Sequence, residues 1–305
     1  KIIKMNRKVL VTGGAGFIGS HLVDGLIDMN CQVTIIDDLS TGKKENINPS
    51  AYHWLQDLTK IDVKTLANSM ISFGIDVVYH MAAKTAVQES MLEPELYDSV
   101  NVGVTLKLLE ACNIAGVKRF VFSSTSAVYG NAETIPTNEH EPTQPLSHYA
   151  ASKLNAEEYC RLYEQLYDFD VRILRYFNVY GDRMSNEGGY KLVFPIFKEL
   201  KEQGGKLTIN NDGEQRRDFV HVQDVVNINI LVGLGNLEYA FELFNVGTGV
   251  NYSVNEIADM FGGEKIYNNN VKEPYETLAD MSRVNEKLDY KPKDRLKEWI
   301  KDYVN

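Results

Sequence analysis

Cysteine is scarce: the 305 residues hold three, Cys31, Cys112 and Cys160, far apart and without a C-x-x-C pair. That pattern suggests neither a disulfide framework nor a zinc site, and no metal is expected. Positive charge is short as well. Lys and Arg number 32 against 42 Asp and Glu, a net charge of -10, which argues against a broad surface for nucleic acid or anionic membrane. Any anionic ligand must be held by local groups. No run approaches the ~18 consecutive apolar residues of a membrane span. Lys1-Ile2-Ile3-Lys4 lacks the long apolar segment of a signal peptide, so a cytoplasmic, reducing home is expected, with Met5 a candidate natural start. Internal repeats, low-complexity tracts and Ser/Pro-rich linkers are missing too, so nothing suggests loosely tethered domains. What is present is 44% hydrophobic residues, enough to bury a substantial core in one large α/β unit or two interleaved lobes.

The first half alternates short β-branched runs with longer amphipathic segments, the pattern of a parallel sheet covered by helices on both faces. Candidate strands are Lys8 to Thr12, Val33 to Asp37, Val77 to Met81, Phe120 to Ser124 and Val171 to Tyr176. Between Glu95 and Gly116, Leu96, Val100, Val104, Leu108 and Ala111 recur at helical spacing. From about Asp182 the alternation stops, and the segment to Asn211 reads as an insertion with one helix around Phe194 to Leu200. A strand Leu243 to Val246 closes with Gly247-Thr248-Gly249, after which short helices and loops without sheet are expected. The fold class is therefore α/β, a doubly wound parallel sheet with a smaller, discontinuous α/β lobe. Residues 1–181, rejoined by 218–248, form the sheet domain, and 182–217 with 249–305 form the lobe.

Strand Lys8 to Thr12 runs directly into Gly13-Gly14-Ala15-Gly16-Phe17-Ile18-Gly19, with helix following. Glycines three apart let the backbone turn tightly, approach a pyrophosphate without an intervening Cβ, and pack the new helix on the sheet. The phosphates then meet exposed N–H groups at the positive end of the helix dipole. The next strand ends in Asp37-Asp38, eighteen residues past Gly19, where a carboxylate can accept hydrogen bonds from both ribose hydroxyls. An acid there repels a 2′-phosphate, so NAD is favoured over NADP.

Of 17 tyrosines only Tyr149 has a lysine four residues later, Lys153, within the helical segment Ser147 to Leu166. Positions i and i+4 share a helix face, so the ammonium can lie close to the phenol. Tyrosine ionises near pH 10; an adjacent Lys⁺ and a nicotinamide cation both stabilise phenolate. Such a pair can remove a hydroxyl proton while hydride leaves the same carbon, although a solvated helix face would show the same spacing. Strand Phe120 to Ser124 ends in the hydroxyl cluster Ser123-Ser124-Thr125-Ser126, at the carboxyl end where open α/β sheets place their active sites. Hydroxyls there can hydrogen-bond a reacting sugar oxygen.

With these elements the chain resembles the extended short-chain dehydrogenase/reductase family, in particular its nucleotide-sugar epimerases and dehydratases similar to UDP-galactose 4-epimerase. The likeness runs nearly end to end. It is carried by Val11-Thr12-Gly13-Gly14-Ala15-Gly16-Phe17-Ile18-Gly19, Asp37-Asp38-Leu39-Ser40, His80-Met81-Ala82-Ala83, Asn101 with Gly103 and Thr105, Ser123-Ser124-Thr125, Tyr149 with Lys153, Arg175-Tyr176-Phe177-Asn178, Arg217-Asp218-Phe219 and Phe244-Asn245-Val246-Gly247-Thr248-Gly249. The resemblance implies a Rossmann-like fold, bound NAD and a nucleotide-sugar substrate. It implies that Asp57-Leu58 contact adenine, that Thr125 is the hydroxyl beside the base Tyr149, and that Lys153 binds ribose and tunes that base. Phe177 is expected by the nicotinamide. Asn178 and Arg217 match residues that hold the substrate diphosphate, a task suited to the planar fork of a guanidinium.

The resemblance also sorts the reactions. Related 4,6-dehydratases carry an Asp-Glu pair after the active-site threonine, where this chain has Ser126 and Ala127, and Ala127 also lacks the acid of the UDP-glucuronate decarboxylases. Epimerisation at C4 through a 4-keto sugar is what remains. Two departures stand out: Asn270, with Lys272 nearby, where the family usually has arginine, and Thr277 where a bulky tyrosine excludes 2-acetamido sugars. Rival readings are a reductase that releases NADH and a catalytically silent NAD-binding regulator, against which the intact Thr125, Tyr149 and Lys153 speak. The helices Glu95 to Gly116 and Ser147 to Leu166 resemble the pair that forms a homodimer interface in this family, though their apolar stripes also suit a subunit core.

Overall fold

The computed structural model describes residues 6–167, 169–184, 193–268 and 274–304. In chain order its strands are β1 (Lys8–Thr12), β2 (Gln32–Asp37), β3 (Tyr52–Leu55), β4 (Val77–His80), β5 (Arg119–Thr125), β6 (Asp170–Tyr176), β7 (Asn178–Tyr180), β8 (Leu207–Asn210), β9 (Arg216–His221), β10 (Phe241–Val246), β11 (Asn251–Ser253) and β12 (Lys265–Asn268). Seven of them form one sheet, paired in parallel throughout, in the order β10-β6-β5-β4-β1-β2-β3. The expected strands of the first half all lie in it, within a residue or two of their expected ends, and the doubly wound, Rossmann-like sheet is what the chain builds.

A parallel sheet must bury both faces, and alternation along β1 does this. Val9 and Val11 join a core with Leu22, Val23 and Leu26 of helix Phe17–Asp28 and with Val225 and Val226 of helix Val222–Leu234. Leu10 points the other way, into a core with Leu66, Leu108, Leu109 and Ala156 from helices Val63–Phe73, Val104–Ala115 and His148–Leu166. Each fully buried leucine contributes roughly 1.5–3 kcal/mol. The helical run expected from Glu95 starts at Pro94, widens by one π-turn over Asp98–Gly103 and continues as Val104–Ala115. Gly116, in the left-handed conformation at φ 68°, ends it.

The remainder gathers around an aromatic core of Tyr180, Phe194, Phe197, Phe219 and Phe261, with Trp299 and Tyr303 packed on it. Here the expectation of no sheet after Gly249 is corrected. β11 pairs with β9 antiparallel, β9 with β7 parallel, and β12 with β8 parallel. At three and four residues, β11 and β12 are too short to show an alternation pattern. β9 is one continuous strand of this smaller sheet, although the expected boundary at 218 divides it. Among the described residues no helix is long and apolar enough to cross a membrane, and no cluster of His, Cys, Asp or Glu is placed to hold a metal ion.

Candidate active site

Strand order reverses between β1 and β4, which opens a crevice at the carboxyl ends of the strands. The glycine loop fills its floor. Gly13 holds φ +69°, and a Cβ there would sit 2.7 Å from the Ala82 nitrogen just beyond β4; a Cβ on Gly19 would sit 2.1 Å from the Gly13 carbonyl oxygen. Gly16 precedes helix Phe17–Asp28, so Phe17 and Ile18 form its first turn, whose N–H groups have no partner within the helix. Backbone open to close approach, at the positive end of a helix, fits the pyrophosphate of a dinucleotide.

Asp37 ends β2 and is buried. One carboxylate oxygen accepts from the Ala15 N–H at 2.9 Å and the other from the Leu39 N–H at 2.8 Å. The carboxylate is thereby fixed beside the glycine loop, and each oxygen keeps capacity for a ribose hydroxyl. Asp38 is exposed and accepts from the Ser40 N–H at 2.9 Å, closing its own turn. The Gln56 N–H bonds the Asp37 carbonyl at 3.0 Å, which brings Asp57 and Leu58 alongside. Asp57 accepts from the Thr59 hydroxyl at 2.6 Å and the Thr59 N–H at 2.9 Å. The Thr59 hydroxyl is the main cause of a lowered carboxyl pKa there. Leu58 is buried, and its carbonyl accepts from Lys107 Nζ at 2.7 Å.

β5 delivers Thr125, half-buried, whose Oγ1 accepts from the Ala127 N–H at 3.2 Å. The rest of the hydroxyl cluster departs from expectation. Ser123 Oγ lies 3.1 Å from the Tyr176 hydroxyl, and Ser124 Oγ donates to the Glu157 carboxylate. Successive strand residues point to opposite faces, and both faces of this sheet are interior, so these two serines are structural.

Helix His148–Leu166 starts at Ser147, whose Oγ accepts from the Ala150 N–H at 3.1 Å, a cap worth about 1 kcal/mol. The cap sets Tyr149 in the first turn and Lys153 one turn on. Lys153 is 3% exposed; its Nζ donates to the Ser123 carbonyl at 2.8 Å and stands 4.8 Å from the Phe122 ring centroid. Burial pushes its pKa down to about 8, with the Glu157 carboxylate opposing. Tyr149 is half-buried, with the Tyr97 ring edge-on at 6.5 Å between centroids. The Tyr97 hydroxyl lies 2.7 Å from both the Ala86 carbonyl and Glu89 Oε2. Phe177, just past β6, is buried with its N–H bonded to the Val246 carbonyl at 2.9 Å.

Two groups not singled out for a role tie this region together. His80, 1% exposed at the end of β4, lies between Thr12 Oγ1 at 2.7 Å and Thr105 Oγ1 at 3.0 Å. Thr105 spends its proton on the Asn101 carbonyl at 2.6 Å, so His80 Nε2 carries the hydrogen and Nδ1 accepts from Thr12. Burial, with the Lys153 charge second, pushes the His80 pKa down to about 3. Asn101 clamps the backbone of Lys84 from both sides, at 2.9 and 3.0 Å, and donates to Ser152 Oγ at 3.0 Å. A buried histidine and asparagine give no periodic signal.

The residues expected to hold the substrate meet on the smaller sheet. Asn178 on β7 donates to the Asp218 carbonyl at 3.3 Å, and Arg217 on β9 donates to the Arg216 carbonyl at 2.9 Å. Thr277 bonds its N–H to the Arg216 carbonyl at 3.0 Å, and its buried Oγ1 has no partner among the described residues. Asn270 and Lys272 lie outside the described residues. What organises this side is Asp218, fully buried. Oδ1 accepts from the Thr248 N–H and hydroxyl, each at 2.8 Å, and Oδ2 from the N–H groups of Gly249 at 3.0 Å and Ala279 at 3.1 Å. Burial raises its pKa against the pull of those donors.

The sequence profile of the NAD dependent epimerase/dehydratase family matches residues 9–247. A putative UDP-glucose 4-epimerase of Methanocaldococcus jannaschii is 41% identical over 307 residues, 97% of each chain. Among solved structures, the UDP-glucose 4-epimerase of Thermotoga maritima with UDP-glucose matches at a TM-score of 0.91 and 35% identity, covering 97% of each chain. The UDP-N-acetylglucosamine 4-epimerase of Methanobrevibacter ruminantium M1, in complex with UDP-N-acetylmuramic acid, matches at a TM-score of 0.90 and 36% identity, covering 98% of this chain and 97% of that one. Matches of this extent, on a chain whose loop fits a dinucleotide, show that it belongs to the NAD dependent epimerase/dehydratase family, with NAD as its cofactor.

Proposed function

We propose that the protein interconverts C4 epimers of a UDP-hexose, UDP-glucose with UDP-galactose and also their 2-acetamido counterparts. Bound NAD supplies an acceptor for the C4 hydride and returns it to the other face of the sugar. The chain's own residues do the rest. Gly13, Gly16, Phe17, Ile18 and Gly19 hold the pyrophosphate; Asp37, with Asp38 beside it, takes the ribose hydroxyls; Asp57 and Leu58 border adenine; Phe177 borders the nicotinamide. Tyr149 removes the proton of the 4-hydroxyl and later gives it back. A phenol needs a nearby cation to do so at neutral pH, and Lys153 is that cation while also binding ribose. Thr125 hydrogen-bonds the reacting oxygen, and Asn178 and Arg217 grip the diphosphate. The cofactor is assigned to the unit of residues 1–181 and 218–248, and the sugar nucleotide to 182–217 and 249–305.

The observation that carries this reading is the buried Lys153 ammonium, held at 2.8 Å by the Ser123 carbonyl one helical turn from Tyr149. Ser126 and Ala127 offer no acid or base for dehydration or decarboxylation. Thr277 leaves room where the resembling enzymes carry tyrosine, which supports the acetamido substrates. Incubation with UDP-, dTDP- and GDP-sugars and identification of products by NMR tests the reading: epimers of UDP-glucose and UDP-N-acetylglucosamine are expected, without net NADH. Steady NADH release would favour a reductase. Tyr149→Phe is expected to lower turnover roughly 10²–10⁴-fold with NAD and sugar-nucleotide binding retained; near-normal turnover would remove Tyr149 from the mechanism. A homodimer through the exposed face of helix His148–Leu166, where Leu162 and Leu166 are 43% and 62% exposed, is part of the same proposal. Sedimentation of the purified protein as a monomer at working concentration would overturn that part.

A further inference from the structure

The helix of Tyr149 carries a third polar residue on the same face that the reaction leaves unused. Glu157 follows Lys153 by four residues, as Lys153 follows Tyr149. It is 3% exposed, and a carboxylate so buried is costly unless paired and hydrogen-bonded. Its partners are Arg175 on β6, with Nε 3.0 Å from Oε1 and Nη2 2.6 Å from Oε2, and the hydroxyl of Ser124. Arg175 lies 4.7 Å over the Tyr129 ring. Burial works against its charge, and Glu157 more than offsets this, so its pKa is raised. Ser124 adjoins Ser123, whose carbonyl holds Lys153 Nζ. One carboxylate is therefore tied to both supports of the ammonium, the helix and the end of β5.

Among the charged groups around Lys153, the Glu157 carboxylate opposes the effect of burial. Cys160, on the same helix, is a buried thiol with its pKa raised by burial and so uncharged. From β4, His80 is neutral; β5 offers a carbonyl and the Phe122 ring; Arg175 on β6 is paired with Glu157. The phenol of Tyr149 lies one turn back. We propose that the Glu157–Arg175 pair is a positioning unit for the reaction, holding Lys153 charged in its buried place and so setting the pH range in which Tyr149 acts as base. This rests on the roles given above to Tyr149 and Lys153.

The two members of the pair have opposite signs, which separates this role from a structural one. Glu157→Gln removes the negative charge and leaves Arg175 uncompensated, so the alkaline limb of kcat/KM should move to lower pH by about one unit. Arg175→Met removes the cation paired with Glu157 and leaves its charge to act on Lys153, so the limb should move to higher pH. The double variant should fall between the two. A pair that merely supports the fold would leave the limb in place in both single variants, and that result, or shifts in the same direction, overturns the proposal. Circular dichroism and NAD binding establish that the variants are folded. Should a single variant fail to fold, Ser124→Ala gives the same reading: with one donor fewer the carboxylate acts more strongly on Lys153, the limb rises by roughly a few tenths of a unit, and an unmoved limb overturns the inference. If the wild type epimerises no UDP-sugar, or Tyr149→Phe stays active, the underlying reading fails instead.

Discussion

On the side of the crevice proposed for the cofactor, from Gly13 to Lys153, the groups are set by the ends of parallel strands and by two helix starts. On the side proposed for the substrate, Asn178, Arg217 and Thr277 come from separate segments, and one carboxylate among them, Asp218, reaches donors 30 and 61 residues away. The first side rests on the ladder of one seven-stranded sheet. The second is joined by the short β7–β9 pairing, the Thr277 N–H on the Arg216 carbonyl, and the four hydrogen bonds of one side chain, Asp218.

Asp218→Ala is the largest test of that contrast. It removes a fully buried carboxylate that accepts four hydrogen bonds from Thr248, Gly249 and Ala279, a loss of about 3 kcal/mol. Urea unfolding should show it, and sugar-nucleotide affinity should fall well before NAD affinity. An equal fall in both would break the distinction between the two sides.

The cofactor side has its own weak point, which is chemical. His80 is neutral in the fold with its pKa down to about 3, against an ordinary value of 6.5. Its contribution to stability is therefore complete above about pH 6.5 and is lost as pH falls toward about 3. Between about pH 7 and pH 5 the loss is about 2 kcal/mol. His80→Gln, which cannot titrate there, should lose about that much less over the same interval in urea unfolding. Parallel curves for wild type and variant would show that the imidazole is not held neutral by its surroundings.

The same contrast explains what could be read from the residues alone. The glycine loop, Asp37 and the Tyr149–Lys153 pair are local patterns: a strand running into glycines, a strand ending in an acid, a spacing of four on a helix. Each shows itself within a few residues of sequence. The same spacing extended by one step reaches Glu157, so that residue was legible, but its partners Arg175 and Ser124 lie on two other strands. Asp218 stood inside a matched motif, yet its partners are set by the fold of three distant segments. β11 and β12 escaped because pairing across long sequence separations leaves no period in so few residues. The serines of β5 misled for a related reason: hydroxyls at a strand end suit a substrate, and only the burial of both sheet faces turns Ser123 and Ser124 inward.

The finest test concerns what the convergent side selects. Thr277 hangs from Arg216 by one backbone bond, and its buried Oγ1 has no partner among the described residues. If space at this position admits a 2-acetamido group, Thr277→Tyr should overfill it for N-acetylhexosamines alone. Overpacking of this kind costs about 1–3 kcal/mol, so the ratio of kcat/KM for UDP-N-acetylglucosamine over UDP-glucose should fall by about tenfold or more. Thr277→Val keeps the shape and removes the hydroxyl, so it should leave the ratio near its wild-type value. A fall in the valine variant would shift the discrimination from volume to a hydrogen bond made by Oγ1. A tyrosine variant with an unchanged ratio would place it elsewhere on the substrate side, while NAD affinity, set across the crevice, should be the same in all three proteins.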